Sequence, residues 1–216
     1  MGLLKGAFVV FQTKTPVPTD IILFQFNSES LVRRFAPQPA NATTGAGAER
    51  GGGGASHTPG PPDESYTLSI DLDASDQLDK GDPVAAAIGL HPVIAQLELL
   101  LYPTSSMLIR NRAMALSGSS MVAPAELPLV LFAWGPTRIL PVAITSMTVT
   151  EQQFDGVLNP LQAKVDLGLS VLSDVELARR GEPFATLATV MHIAKEGVAR
   201  LGTAQQVGTI TSMLPF

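Results

Sequence analysis

The residues in this chain that could do chemistry are few. Asp71, Asp73, Asp76, Asp79 and Asp82 form the densest acidic group. Asp71 and Asp73 stand two apart, which on a strand places them on one face, where carboxylate oxygens could hold a hard cation. The spacing lacks the glycine at the sixth position and the glutamate at the twelfth that a helix–loop–helix calcium loop requires. It reads better as a solvated strand end followed by turn-forming aspartates, and no metal ligand is assigned. The histidines are His57, His91 and His192. His57 lies in a glycine-rich stretch, His91 just before a proline that suits a helix start, and His192 in a helical pattern. Serines 119 and 120 follow Gly118, but no Gly-x-Ser-x-Gly elbow between a strand and a helix is present, so no nucleophile–base pair is assigned. The four glycines at residues 51–54 lack the Gly-Lys-Ser/Thr ending of a phosphate loop. With no cysteine, thiolate zinc sites, iron–sulfur clusters and thiol nucleophiles are excluded. The expectation is a protein without catalytic residues, metal or cofactor.

Composition points the same way. The chain has 216 residues, 45% of them hydrophobic and only 15% charged, with a formal net charge of −5. Nucleic-acid binding needs a basic patch, and the only concentrations of positive charge are the pairs Arg33-Arg34 and Arg179-Arg180. So few charges leave an apolar surface, which suits burial against partners. The N-terminal run from Met1 to Phe11 carries a lysine inside its apolar stretch and no cleavage signature before Pro16. It is far shorter than a membrane span, and reads as a first strand.

The elements that would position these residues follow from periodicity. Residues 20–26 (DIILFQF) place Ile22, Phe24 and Phe26 on one face and Ile21 and Leu23 on the other, a largely buried strand. Residues 66–73 alternate, with Tyr66, Leu68, Ile70 and Leu72 inward, a half-exposed antiparallel strand. Between them, residues 37–62 have no large apolar side chain and many glycines and prolines, the composition of a flexible insertion joining two strands. Residues 83–87 suit a short helical turn. Leu90, Ile94, Leu97 and Leu101 recur at helical spacing, with Pro103 as the stop. Residues 104–124 are weakly patterned and read as a surface excursion. Strands are expected at residues 127–134, at 138–150 with a bend at Pro141, and at 163–172. Residues 151–160 form a turn-rich connector with Phe154 as an aromatic plug. Phe184, Leu187, Met191, Ala194, Val198 and Leu201 trace a final helix. The apolar tail at residues 213–216 could dock on a neighbour or on its own body.

Strands do not alternate regularly with helices. The fold class is therefore mainly β, of the α+β kind: an antiparallel barrel or sandwich with a flanking helix and a C-terminal helix. A β domain spans residues 1–174, with the insertion at 37–62, and a helical extension with its tail spans 175–216.

Several segments, in order, resemble one family. The stretch from Phe24 to Leu31 with Arg33 (FQFNSESL, then R) looks like the opening motif of tube-related adaptor proteins of contractile injection systems. Residues 64–76 resemble that family's next strand. Residues 129–135 (LVLFAWG) resemble its Trp-Gly strand, and Phe154 through Asn159-Pro160 to residue 172 its following segment. Ser28 stands where the family has proline, and Gln162 where it has arginine. The resemblance implies a tube-like β-barrel that assembles as a six-membered ring between the inner tube and the spike hub of the baseplate. A cap-side adaptor or terminator of the tube is the alternative station. The implied partners are further copies of the chain, the inner tube protein, the spike or hub protein, and the sheath or baseplate wedge, in a particle assembled in the cytoplasm and able to act after release. The residues expected at interfaces are Phe24, Phe26, Asn27, Trp134, Phe154, Asn159 and Pro160. A small β-barrel hydrolase or ligand-binding protein is the competing class, and it would require a pocket in which a histidine meets a serine or carboxylate.

Overall fold

A computed structural model describes residues 4–12, 17–37, 60–117, 127–181 and 184–211, the last ten of these as backbone only. Most of the insertion at 37–62, with its four glycines and His57, lies outside the described residues, as does the tail at 213–216.

Seven strands form one antiparallel sheet. They are β1 (Ala7–Phe11), β2 (Asp20–Leu23), β3 (Leu31–Ala36), β4 (Asp63–Asp73), β5 (Leu129–Ala133), β6 (Ile139–Phe154) and β7 (Pro160–Val171), in the order β2-β1-β5-β6-β7-β4-β3. The helices are α1 (Ser75–Asp79), α2 (Pro83–Ile88), α3 (His91–Glu98), α4 (Ser105–Leu116), α5 (Asp174–Arg180) and α6 (Leu187–Thr211), with a 3-10 turn at Phe184–Thr186. The mainly β, α+β class expected from the sequence is the observed one. The closed barrel is not. Closure would need the two end strands to pair with each other, and among the described residues β2 and β3 each have a strand on one side only.

The chain divides into two units. One comprises residues 1–24, 96–142 and 172–216, the other residues 25–95 and 143–171. In the first, β1 pairs antiparallel with β2 (Phe8 opposite Ile22) and with β5 (Phe8 opposite Phe132). Phe8, Val10, Ile22, Phe24, Val130, Phe132 and Val142 are buried there. The rings of Phe8 and Phe24 meet edge to face at 5.0 Å, Phe8 and Phe132 at 5.7 Å, and Phe132 and Trp134 at 5.9 Å, all within the favourable range for aromatic pairs. Gly6 makes room for this cluster. A methyl group there would stand 2.6 Å from Phe24 Cδ2 and 2.9 Å from Trp134 Cε3. Helix α5 opens on a reciprocal cap, in which Glu176 N–H donates to the Ser173 hydroxyl and Ser173 N–H donates to Glu176 Oε2 at 2.8 Å. Those Ser173 bonds hold the Glu176 carboxyl below its usual range.

In the second unit, β4 runs between β3 and β7, with Leu68 opposite both Leu31 and Leu167. Tyr66, Leu68, Ile70 and Leu72 are buried and Thr67 and Asp71 exposed, the alternation expected. On β7, Val165, Leu167 and Leu169 are buried likewise. Helix α2 is capped by Asp82, which accepts from Val84 N–H at 2.8 Å, and carries Pro83 at its first position.

Four expectations change. The insertion joins β3 to β4, with Ala36 opposite Asp63, and does not start from the strand near residue 20. That strand, β2, is an edge in which Ile22 is buried but Ile21 and Leu23 are exposed. Residues 105–116, read as a surface excursion, are helix α4. Phe154 ends β6 with its ring about half exposed and plugs nothing. Strand β6 runs through Pro141, which stands opposite Leu131.

Tyr66 carries a pH-dependent part of the stability. Its hydroxyl donates to Glu64 Oε1 at 2.6 Å, and Glu64 is itself buried. Burial, reinforced by the Glu64 carboxylate, pushes the phenol from its ordinary value up to about 12. Unfolded tyrosine ionises near 10, so the contribution is complete below about pH 10 and is lost as pH rises toward 12. Tyr66→Phe is expected to destabilise the protein by about 1–2 kcal/mol at pH 8, through loss of a buried hydrogen bond to a charged group. In urea titrations its gap from the unsubstituted protein should narrow at pH 11. An equal gap at both values would rule out this role.

Candidate interaction surface

The residues expected at interfaces fall into different surroundings. Phe24 is only 1% exposed, inside the aromatic cluster of the first unit, and Pro160 is buried at the start of β7. Trp134, Asn27 and Asn159 are half-buried. Phe26 and Phe154 are largely open to solvent, at 48% and 49%.

The segment after Phe24 is held by an amide clamp. Gln25 Nε2 donates to the backbone carbonyl of Asp73 at 2.5 Å, and Gln25 Oε1 accepts from Asp73 N–H at 2.9 Å, so one side chain satisfies both backbone groups as a neighbouring strand would. Gln162 Nε2 donates to Asp73 Oδ2 at 2.9 Å and Ser75 N–H to Asp73 Oδ1 at 2.7 Å. The Ser75 bonds chiefly, with Gln162 helping, keep the Asp73 carboxyl below its usual range. Around this clamp lies a shallow cleft of about 260 Å³ lined by Phe26, Asp71, Asp73, Gln152, Gln162 and Lys164. Asp71 and Lys164 are register partners on β4 and β7. The lining mixes one cation, two carboxylates and two amides. Among the described residues no group of three or more His, Cys, Asp or Glu is arranged to hold a metal. His192 Nε2 meets Glu196 at 3.3 Å one helical turn away, with both side chains exposed on α6.

A second well-ordered feature is the turn from β6 to β7. Asp155 Oδ1 accepts from Val157 N–H and Asn159 N–H, each at 2.8 Å, and Asp155 Oδ2 accepts from Asn159 Nδ2 at 2.8 Å. Asn159 Nδ2 also donates to the carbonyl of Ala87 at 3.0 Å. The Asn159 backbone bond is the main reason the Asp155 carboxyl is held below its usual range. Leu158 sits at φ 69° and Gln153 at φ 52°, the left-handed region that side chains other than glycine adopt only when their surroundings impose it. The outcome is a rigid turn whose apolar side chains point outward: Val157 and Leu158 are 76% and 77% exposed.

The third feature is the pair of sheet edges. On β2, Ile21 and Leu23 are exposed. On β3, Val32 and Phe35 are exposed, and the Arg33 guanidinium lies 5.7 Å from the Phe35 ring centre. An open edge with apolar side chains is a template for another strand. The sequence suggested neither β3 nor the organising part of Asp155. For Asp155 the dipeptides Asp155-Gly156 and Asn159-Pro160 were the available turn signals.

No protein-family model matches the chain, and no curated protein sequence matches it. No helix among the described residues is long and apolar enough to cross a membrane.

Proposed function

We propose that the chain is a non-catalytic structural ring subunit of a contractile injection system, a hexameric adaptor joining the inner tube to the baseplate hub. The observation that carries this reading is the open seven-stranded sheet with an apolar, exposed strand at each end. Such edges are commonly covered by pairing across subunits, and closed rings of identical copies do this without leaving a free end. The four ordered sequence resemblances between Phe24 and Leu172 supply the kind of machine. The low charge of the chain, 15%, suits large subunit contacts.

The test is assembly. The purified protein should form six-membered rings in negative-stain images and a matching mass by light scattering. Lysines on the two edges, Leu23→Lys with Val32→Lys, should shift it to monomer while leaving its circular dichroism unchanged, because an edge lysine opposes strand addition. A protein that stays monomeric at all concentrations and hydrolyses a substrate would overturn the reading.

A further inference from the structure

Charge is divided unequally between the two units. The unit of residues 25–95 and 143–171 holds twelve of the 19 acidic residues and five of the 14 basic ones, so it is acidic while the other is slightly basic. Each unit also carries an apolar feature of its own. In the acidic unit it is the rigid β6–β7 turn, where Phe154, Val157 and Leu158 are exposed within five residues, and Glu151, also exposed, stands three residues ahead of Phe154 on β6. In the basic unit it is α4. None of the side chains of this 12-residue helix is buried. Met107, Asn111 and Met114, at helical spacing, are half-covered. On the opposite face Leu108, Ile109 and Leu116 are 50%, 69% and 81% exposed, and Arg112 stands among them. Isolated helices shorter than about 12–15 residues are marginal in water, and helices in proteins draw most of their stability from a packed apolar face. Among the described residues the outer face of α4 has no such packing.

We propose that α4 of one copy is covered by the β6–β7 turn of the next, with Val157 and Leu158 on the Leu108–Ile109–Leu116 face and Glu151 facing Arg112. The occupant is a second copy because this chain itself presents the complement: an acidic apolar knob and a basic apolar helix. Each lies far from self-complementarity, so the contact is head-to-tail, which is the kind that generates rings or stacks. The rigidity of the turn favours it, since the knob is already ordered by Asp155 and little conformational freedom remains to be lost. This contact deepens the ring assembly proposed above and rests on it.

Because the chain has no cysteine, two single-cysteine variants of the full chain report the contact without background. Val157→Cys and Ile109→Cys, prepared separately and mixed under mild oxidation, should give the mixed disulfide in about tenfold excess over either protein alone, the ratio expected for a preferred geometry worth one decade. Adding Glu151→Arg to the first variant should cut that yield, and adding Arg112→Glu to the second should restore it. A dominant Val157–Val157 disulfide, no mixed disulfide, or no rescue by the reciprocal swap would each overturn the contact. The ring reading is judged separately, by the size of the unsubstituted particle. Intact rings with no mixed disulfide sink the contact alone, and a monomer sinks the ring.

Discussion

Gly89→Ala should destabilise the protein by about 3–5 kcal/mol, the sum expected for a strained backbone and an overpacked contact. Gly89 ends α2 at φ 56° and ψ −133°, a conformation that L side chains rarely adopt. Space is the second obstacle. A methyl group at this position would collide with the backbone carbonyl oxygen of Pro160 and lie 3.2 Å from Asn159 Cβ. That oxygen cannot move aside freely, because it accepts the Leu90 N–H at 2.9 Å, the bond that starts the turn into α3. Relief would have to displace Pro160, the first residue of β7, and with it Asn159 and the turn built on Asp155. Urea unfolding followed by circular dichroism measures the loss. A change below about 1 kcal/mol would mean that the junction relaxes readily, which a buried backbone contact should not allow. Gly156→Ala is the control. A methyl group there meets nothing within 4 Å, and its effect should be small.

Phe132→Ala should cost a similar amount, about 3–5 kcal/mol, as large-to-small changes at buried aromatic positions do. Phe132 is 0% exposed on β5 and stands opposite Phe8. Its ring is shared among Phe8, Phe24 at 6.3 Å and Trp134, so truncation removes three aromatic contacts together and opens a void between β1 and β5. Phe154→Ala is the informative comparison. Its ring is half exposed and truncation leaves no cavity, so the stability of the isolated protein should change by less than about 0.5 kcal/mol. Thermal melts of the two variants should separate the aromatic residues that hold this protein together from those available to something else. Equal losses would show that Phe154 packs more than its exposure implies.

These contrasts also explain which parts of the molecule could be read from its residues. Strands β4 and β7 were legible because one face of each is buried and the other solvated, so selection for burial leaves an alternation of period two. Strand β5 was legible as an uninterrupted apolar run. Strand β3 left no such trace. It lies at an edge with every residue partly or fully exposed, and Arg33-Arg34 break any alternation. Helix α4 was missed for the same physical reason. With no buried residue it has no stripe, and its sequence, SSMLIRNRAMAL, shows no apolar period against the chain itself. The end of β6 was read as connector because its last five residues, including Gln153 in a left-handed conformation, are exposed. Of the residues expected at contacts, Phe26 and Phe154 could be recognised as aromatic but not as exposed. Exposure depends on where a strand lies in the sheet order, and one chain's residue pattern does not encode that order. Of the elements that sequence periodicity did not find, β3 and α4 bury none of their side chains among the described residues.

The strands that flank residues 37–62 are hydrogen-bonded neighbours, Ala36 directly across from Asp63, so the insertion leaves and re-enters the sheet at adjoining points. For a connection whose ends are already fixed side by side, each doubling of length costs only about 0.6 kcal/mol in closure entropy. The protein is thus built to tolerate changes in what it carries at that position. A shortened turn, an affinity tag or a small foreign domain could be exchanged there as cargo on a common chassis, with the sheet register from Leu31 to Leu68 as the anchor that stays constant.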